Sequence, residues 1–202
     1  MVDLDLAQLR RDIRAARRAV PGAERARISH ETAATVYCWL QAHSELRHIA
    51  TYLSMPEEID TAPINRLLWQ NGYHLYLPYV KGKSLPLAWY PYTENTLLTP
   101  DLIELRWEGA SDPAAAPAIA ALDLDAVITP LVAHDPRGTR LGMGGGFYDR
   151  TFQRKMPRTR PWLIGIAYPC QAVAHLPRRA WDIPLDALAS AHSLHTYEQE
   201  HS

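Results

Sequence analysis

The chain has 202 residues, of which 47% are hydrophobic and 21% are charged, and its formal net charge is −1. This length and composition predict a globular protein, a single α/β domain over residues 1–202. The near-zero charge argues against a general nucleic-acid-binding protein and against nucleic-acid partners, so any cationic patch has to be local.

The cysteines and the N-terminus bear on the compartment. Cys38 and Cys170 have neither metal-binding nor redox spacing, which is typical of free thiols in a reducing cytosol. The N-terminus is charged and lacks the apolar stretch of a signal peptide, and no apolar run reaches transmembrane length. We therefore expect a cytoplasmic protein without a membrane partner.

The first predicted element is a helix from Asp3 to Val20, because apolar residues recur at intervals of three and four. Its other faces carry arginines, which form either a solvated basic face or an anion site. Arg10 and Arg14 lie one turn apart and would approach such an anion together. The arginines of this helix are Arg10, Arg11, Arg14, Arg17 and Arg18.

A βαβ unit follows a second amphipathic helix at Ser29 to Gln41. Its strands are predicted at His48 to Leu53 and at Tyr73 to Val80, with a helix between them that starts at Asp60 or Thr61. Such a crossover is right-handed and its strands are parallel.

Two residues in the connections are candidates for ligand binding. Glu58 lies in the loop after the first strand, where α/β sheets bind ligands, although by itself such a residue is more often simply a charge in a first helical turn. Trp107 stands in a polar, loop-like stretch and is either an anchoring aromatic or a stacking platform for a planar ligand.

Further strands are predicted at Leu87 to Tyr92, Asp123 to Leu131 and Trp162 to Tyr168. From about residue 190 the chain is polar, and we expect a frayed tail. Its His192 and His195 are spaced three apart, but in a tail they are more typical of idle side chains than of a metal site.

The stretch Thr129 to Arg150 connects a strand to a short helix through a run of glycines. Bare backbone leaves room for a ligand, and free N–H groups at a helix start suit phosphate. Flanking arginines would add charge-assisted donors. The alternative is a sharp turn with surface arginines. Neither the P-loop nor the Rossmann spacing is present. The glycines are Gly142, Gly144, Gly145 and Gly146, and the arginines are Arg137, Arg140 and Arg150.

The motif RLGMGGGFYDRTF, preceded by ITPLVAHDPRG and followed by GIAYPCQ and WDIPLD, resembles the 5-formyltetrahydrofolate cyclo-ligase family. YLSMPEEIDTAPI and LLWQNGYHLYLPYV extend the resemblance over most of the chain. It implies a three-layer αβα sandwich with a mainly parallel central sheet, related to the fold of sugar-phosphate isomerases and CoA-transferases.

The resemblance also implies an activity. Members of this family of ligases use ATP and Mg²⁺ to convert 5-formyltetrahydrofolate into 5,10-methenyltetrahydrofolate, with release of ADP and phosphate. The formyl oxygen is phosphorylated, and N10 then attacks the activated carbon. The implied partners are these small molecules, and we expect a monomer.

The resemblance assigns roles to individual residues. Arg140 and Tyr148 are the candidates for catalytic contacts. ATP would be bound by Arg10, Arg14 and the loop of Arg140, Leu141, Gly142, Met143, Gly144, Gly145, Gly146, Phe147 and Tyr148. The folate would be bound by Leu53, Met55, Glu58, Trp107 and Tyr148. Mg²⁺ would be held by Asp149 and Asp182, whose hard carboxylate oxygens suit this ion.

The chain departs from the family pattern at several positions. Leu6 stands where a lysine is usual, and His134 replaces a phenylalanine and is expected to be a partly buried neutral imidazole. An Ile-x-Glu-Pro segment is not recognisable near Glu104. Two rival hypotheses therefore stay open: a non-catalytic folate or nucleotide binder, and an enzyme of the isomerase or CoA-transferase type.

Overall fold

The computed structural model describes residues 5–96, 117–156 and 159–197. Its helices are α1 (Leu6–Ala19), α2 (Gly22–Ala42), α3 (Ala62–Gln70) and α4 (Phe147–Phe152). Its strands are β1 (His48–Ala50), β2 (His74–Tyr79), β3 (Ala88–Tyr92), β4 (Ala126–Thr129), β5 (Ala133–His134), β6 (Arg140–Leu141), β7 (Trp162–Ile166), β8 (Ala187–Ala189) and β9 (Leu194–Thr196).

Seven strands form one sheet in the order β3-β2-β1-β4-β7-β8-β9. The five inner strands are parallel, and β3 and β9 pair antiparallel at the two edges. The predicted βαβ unit is confirmed as β1-α3-β2, with Ile49 opposite Leu75. A mainly parallel sheet needs cover on both faces because its inner strands are apolar throughout.

Strand β4 shows how the two faces are covered. Ala126 and Ile128 belong to a core that includes the buried faces of α2 and α3, whereas Val127 belongs to a second core with Phe152 of α4. Successive side chains of a strand point to opposite faces, so one strand contributes to both cores. The predicted three-layer sandwich is confirmed.

Helix α1 is confirmed, but it begins at Leu6 and not at the predicted Asp3. The carboxylate of Asp5 accepts hydrogen bonds from the backbone N–H groups of Ala7 (2.9 Å) and Gln8 (3.1 Å) and so caps the helix. These bonds lower the pKa of Asp5 below its ordinary value. Ile13 packs in a small core with Leu141, away from the main sheet. Because of this packing α1 lies against the segment that leads into the glycine loop.

A hairpin that sequence patterning did not predict separates β4 from the glycine loop. Strands β5 and β6 form a two-stranded sheet, and Gly138 turns between them with φ 73°. Two-residue strands are too short to show an alternating pattern. His134 lies in β5, where burial lowers its pKa, as expected of a neutral imidazole.

The C-terminal tail differs from expectation. Residues 194–196 form β9 and pair with β8, with His195 opposite Leu188, so this part of the predicted frayed tail is an edge strand. Within the described ranges, no three His, Cys, Asp or Glu side chains are grouped so that they could hold a metal ion. No helix in the described part of the chain is long and apolar enough to cross a membrane.

A buried ion pair connects Lys155, three residues after the end of α4, to Asp186 just before β8 of the sheet. The ammonium group of Lys155 lies 3.0 Å from the Asp186 carboxylate, and these side chains are 2% and 3% exposed. The carboxylate also accepts a hydrogen bond from the Leu163 N–H at 2.8 Å. Burial raises the pKa of Asp186, and the Leu163 N–H and the Lys155 ammonium partly offset this effect.

We predict that Lys155→Met lowers the free energy of unfolding by about 3–5 kcal/mol at neutral pH, because it removes the ammonium group that contacts the buried Asp186 carboxylate. The deficit should shrink as the pH falls through the raised pKa of Asp186, since the protonated carboxyl needs no cation. Urea unfolding at several pH values measures both effects. The exposed Lys81→Met is the control, and an equal loss in both variants would contradict the prediction.

Candidate nucleotide and folate cleft

A cleft of about 1100 Å³ opens beyond the carboxyl ends of β1 and β4. It is lined by the start of α1, by Glu58 from the loop after β1, by Pro130 and Leu131 after β4, by the glycine loop, and by residues of the 177–182 segment. The sequence placed Glu58 and the glycine loop after separate strands, and the structure brings both into the same cleft.

The glycine loop follows β6 and lies along this cleft. Gly144 has φ 103° and Gly146 has φ 63°, and Gly146 is the N-cap of α4. These left-handed conformations suit glycine because it lacks a Cβ atom. The backbone of the loop is therefore accessible to a ligand. Since α4 has only six residues, the bare backbone and the nearby arginines matter more here than a helix dipole.

Arg10 reaches from α1 to the glycine loop. Its Nε donates a hydrogen bond to the carbonyl oxygen of Gly142 at 2.8 Å, and its Nη1 donates to the carbonyl oxygen of Leu6 at 3.3 Å. A Cβ atom at position 144 would lie 3.9 Å from the same guanidinium. The structure therefore brings this predicted anion-binding residue to the predicted phosphate loop.

Arg140 and Asp149 form the next part of the site. The Nη2 of Arg140 donates to Oδ1 of Asp149 at 2.7 Å, and the Arg140 side chain is 6% exposed. Arg140 also donates to the carbonyl oxygen of Ile183, and the Ile183 N–H donates to Asp149 Oδ1 at 3.1 Å. The pair thereby joins the glycine loop and α4 to the segment that precedes β8.

Asp182 lies beside this pair at the edge of the same cleft. Its Oδ2 accepts a hydrogen bond from the backbone N–H of Arg179 at 2.8 Å. The hydrogen bonds described here are accepted by Oδ1 of Asp149 and by Oδ2 of Asp182. The second oxygen of each carboxylate takes part in none of them. Mg²⁺ is commonly held by one or two carboxylates together with phosphate oxygens and waters. The donor set of this cleft therefore fits Mg²⁺.

Tyr148 is half-buried at the start of α4 and packs edge-on against Trp89, with ring centroids 6.3 Å apart. The Arg140 guanidinium lies 6.0 Å from the centre of its ring. Burial raises the pKa of Tyr148 far above its ordinary value, so its hydroxyl stays neutral and can donate a hydrogen bond at neutral pH.

Glu58 contributes a carboxylate whose side chain is 9% exposed. Its Oε2 accepts a hydrogen bond from the Met55 N–H at 3.0 Å. Burial raises the pKa of Glu58, and the Met55 N–H and the positive charge of Arg17 partly offset this effect. The Met55 N–H from the same loop and the buried Arg17 cation thus both stabilise the ionised form of Glu58.

Several residues predicted for the site lie elsewhere. Arg14 donates from Nε and Nη2 to Glu57 Oε1 at 3.0 and 2.8 Å, and it does not line the described cleft. Leu53 and Met55 share the loop of Glu58 but are likewise absent from its lining, and Met55 is 43% exposed. Trp107 lies outside the described residues.

Arg137, one of the arginines flanking the glycines, also lies away from the cleft. It donates from Nε and Nη2 to Asp135 Oδ2 at 3.3 and 3.0 Å and to the carbonyl oxygen of Leu176 at 2.8 Å. Arg137 therefore stabilises the β5–β6 hairpin and connects it to the backbone at Leu176. Arg150 lines the cleft and donates to the carbonyl oxygen of Gly145 at 2.8 Å.

Sequence reasoning missed two residues at this site. Trp181 is 64% exposed at the edge of the cleft, with the Arg179 guanidinium 5.7 Å from its ring centre. Arg17 is buried behind the cleft, next to Glu58. The spacing of Arg10, Arg14 and Arg17 at one and two helical turns would have signalled a shared face.

The fold and this cleft define an α/β protein whose glycine loop lines a cleft at the carboxyl ends of its strands. The residues 5–190 match the 5-formyltetrahydrofolate cyclo-ligase family. The chain belongs to this family of enzymes.

Individual relatives agree. The chain is 35% identical over 186 residues to a 5-formyltetrahydrofolate cyclo-ligase of Escherichia coli K12, covering 88% of this chain and 96% of the relative. It is 37% identical over 149 residues to one of Haemophilus influenzae, covering 70% and 74%.

Solved structures show the same fold. The 5,10-methenyltetrahydrofolate synthetase of Aquifex aeolicus superimposes with a TM-score of 0.79 at 26% identity, covering 98% of this chain and 96% of that one. The synthetase of Mycoplasma pneumoniae gives a TM-score of 0.73 at 22% identity, covering 93% and 99%.

We predict that Gly144→Ala lowers the free energy of unfolding by about 1–2 kcal/mol, because a Cβ atom is strained at φ 103°. Gly142→Ala is the matched control. Its added Cβ meets no atom within 4 Å and its φ is not positive. Urea unfolding of the two variants compares the strain directly, and equal stabilities would argue against a left-handed conformation at Gly144.

Proposed function

We propose that this protein catalyses the ATP- and Mg²⁺-dependent cyclisation of 5-formyltetrahydrofolate to 5,10-methenyltetrahydrofolate. The observation that carries the proposal is that the glycine loop, Arg10, Arg140 and Glu58 share one cleft of about 1100 Å³. Ordinary ligand pockets measure about 300–1000 Å³, so this volume suits two substrates bound together. The family membership of the chain supports the same reaction.

In this proposal the phosphates of ATP lie along the glycine loop. Its backbone N–H groups and the guanidinium groups of Arg10 and Arg140 supply donors for phosphate oxygens. Leu141, Met143 and Phe147 belong to the same loop and complete the nucleotide site. Arg14 is not among the proposed direct contacts with ATP, because its guanidinium is hydrogen-bonded to Glu57.

Asp149 and Asp182 are the proposed Mg²⁺ ligands. Both line the cleft, and each has a carboxylate oxygen outside the hydrogen bonds described above. When bound, the ion would neutralise part of the charge on the transferred phosphoryl group. Arg140 would then contact both Asp149 and the nucleotide, so that both members of this pair would lie beside the reacting phosphate.

The folate would lie toward Glu58. A carboxylate that is 9% exposed can accept hydrogen bonds from the N–H groups of a pterin edge in a partly dehydrated setting. The hydroxyl of Tyr148, kept neutral by burial, can donate a hydrogen bond to the substrate. Leu53, Met55 and Trp107 stay predictions of the folate site.

The proposed reaction has two chemical steps. First, the formyl oxygen attacks the γ-phosphorus of ATP and ADP leaves, which activates the formyl carbon. Then N10 attacks this carbon, the bond from carbon to the phosphorylated oxygen breaks, and phosphate leaves as N10 loses its proton. Arg140 and Tyr148 are the proposed catalytic residues, because in this arrangement they would lie beside the phosphoryl group on which negative charge develops.

The composition of the cleft supports a mechanism that depends on positioning. Among the described residues, those that line the cleft include no Ser, Thr, Cys, His or Lys. These side chains are the usual nucleophiles and their partners. A direct transfer between two substrates held in line needs no such group.

One observation favours a rival, a homologue that binds the ligands without turnover. Leu6 lines the cleft one helical turn before Arg10, where the family has a lysine, so the cleft holds one cation fewer at this place. A spectrophotometric assay with 5-formyltetrahydrofolate, with and without Mg-ATP, separates the two. An ATP-dependent absorbance rise from the methenyl product supports the enzyme, and binding without this rise supports the rival. The expected monomer, acting in the cytoplasm, belongs to the same proposal.

We predict that Arg140→Ala raises the KM for ATP by about tenfold to a hundredfold and the KM for the folate much less. The reason is the loss of a charge-assisted hydrogen bond worth about 1.5–3 kcal/mol. Steady-state kinetics with each substrate varied in turn measures the two constants. Arg154→Ala, at an exposed position after α4, is the control. Equal changes in both constants would count against a nucleotide contact.

We predict that Asp149→Asn and Asp182→Asn each raise the Mg²⁺ concentration for half-maximal turnover by about tenfold or more, equivalent to about 1.4 kcal/mol of binding. The amide oxygen can keep the hydrogen bonds of Asp149 from Arg140 and Ile183, so the fold is preserved while the charge is lost. Titration of activity with Mg²⁺ measures the effect, with exposed Asp12→Asn as control. Unchanged Mg²⁺ dependence in either variant would remove that residue from the metal site.

A further inference from the structure

Arg17 is the one arginine of α1 that is fully buried, with 1% of its side chain exposed. It does not line the cleft, but it contacts residues that do. Its Nη1 donates a hydrogen bond to the carbonyl oxygen of Leu131 at 3.2 Å and lies 3.7 Å from Oε1 of Glu58. Arg17 therefore lies directly behind the part of the cleft that we assign to the folate.

Arg14 and Arg17 of α1 share two neighbouring carboxylates, those of Glu57 and Glu58. Arg14 binds Glu57 with two hydrogen bonds, whereas the Nη2 of Arg17 is 3.5 Å from the same oxygen. Burial raises the pKa of Glu57, but the hydrogen bonds and charges around it, from Arg14 above all, give a net lowering. Because Arg14 already compensates Glu57, the charge of Arg17 is available to Glu58.

We propose that Arg17 is a positioning residue for the folate: from behind the cleft it keeps the Glu58 carboxylate ionised and fixed as the hydrogen-bond acceptor for the substrate. This inference rests on the proposed function and extends it to a residue that touches neither substrate. A buried arginine that served stability alone would be replaceable by an apolar side chain without a specific effect on folate binding.

The groups that face Glu58 set the direction of the effect. Its own loop contributes the Met55 N–H and the charge of Glu57, α1 contributes Arg14 and Arg17, and Tyr52 and Tyr148 approach from the end of β1 and from α4. The Tyr168 hydroxyl donates to the backbone oxygen of Glu58 at 3.0 Å.

Burial is the largest influence and raises the pKa of Glu58, and Glu57 raises it too, whereas the Met55 N–H, Arg17 and Arg14 lower it. Without Arg17 the pKa of Glu58 rises further. Folate binding that needs the ionised carboxylate is lost as the pH falls through this pKa. The loss therefore occurs at higher pH when Arg17 is absent.

The test measures the Kd of 5-formyltetrahydrofolate by equilibrium titration without turnover, from about pH 5 to 9, which spans the range of a raised carboxyl pKa. We expect Arg17→Met to move the midpoint of the pH dependence upward by about one to three pH units, the usual effect of a nearby opposite charge. The Kd of ATP should not change. Arg17→Lys should keep the midpoint closer to the wild-type value than Arg17→Met does. The exposed neighbour Arg18→Gln should behave as the wild type.

Glu57→Gln provides an independent variant in case Arg17→Met fails to fold. It removes the like charge beside Glu58 and frees Arg17 from its second partner, so the midpoint should move to lower pH. Midpoints that move in opposite directions in the two variants support the positioning role, as does a downward shift in Glu57→Gln when Arg17→Met does not fold.

An unmoved midpoint in folded Arg17→Met, or in Glu57→Gln when the first variant does not fold, overturns the inference. The same holds if folate and ATP affinities fall together at every pH, since that result indicates a structural role only. A wild-type protein that binds the folate but shows no turnover overturns the proposed function instead, and the pH series still decides the role of Arg17.

Discussion

The position of α1 is the constraint on which the cleft depends. Two arginines of this helix donate to backbone carbonyl oxygens on different connections, Arg10 to Gly142 and Arg17 to Leu131. Because these acceptors are backbone atoms, they fix the path of the chain and not merely a side-chain rotamer. The apolar contact of Ile13 with Leu141 holds the helix against the same segment. One helix thereby sets the distance between the glycine loop and the loop of Glu58.

Several charges in and directly behind the cleft are already paired before ligands arrive. Arg140 is paired with Asp149, Arg14 with Glu57, and Arg17 lies between Glu57 and Glu58. Buried charges are costly unless they are paired and hydrogen-bonded. Such pairing also holds each group in one orientation, so less reorganisation is needed when charge develops on a substrate. Stability and chemical preorganisation therefore come from the same contacts.

The sequence predicted the parts of this structure that follow from repeated patterns. The apolar stripe of α1, the βαβ unit and the glycine loop each have a clear local signal, and the structure contains all three. The β5–β6 hairpin and β9 lack such a signal, because two or three residues show no periodicity. The pairing of β9 with β8 depends on contacts with a strand that is already in the sheet, and these are tertiary in origin.

The same limit applies to the candidate site. Arg10 and the glycine loop were recognisable because one residue type or one motif carried the chemistry. The environments of Arg14 and Arg17 could not be recognised from the sequence, because both arginines contact Glu57, some forty residues away in the chain. Spacing along α1 shows that these arginines share a face, but only the fold decides which of them meets a ligand and which meets a carboxylate. Burial of a charged residue is a property of its tertiary partners.

The fold alone does not select the reaction, because one architecture can carry unrelated sites. A sugar-phosphate isomerase needs a base placed to remove a proton from carbon. Asp149 lies beside the glycine loop, but its Oδ1 accepts hydrogen bonds from both Arg140 and the Ile183 N–H. Two donors therefore already occupy this oxygen, which makes it a poor acceptor for a proton from a substrate carbon. The arginines and the bare backbone beside it suit phosphate. The local contacts therefore favour phosphoryl transfer over isomerisation on the same scaffold.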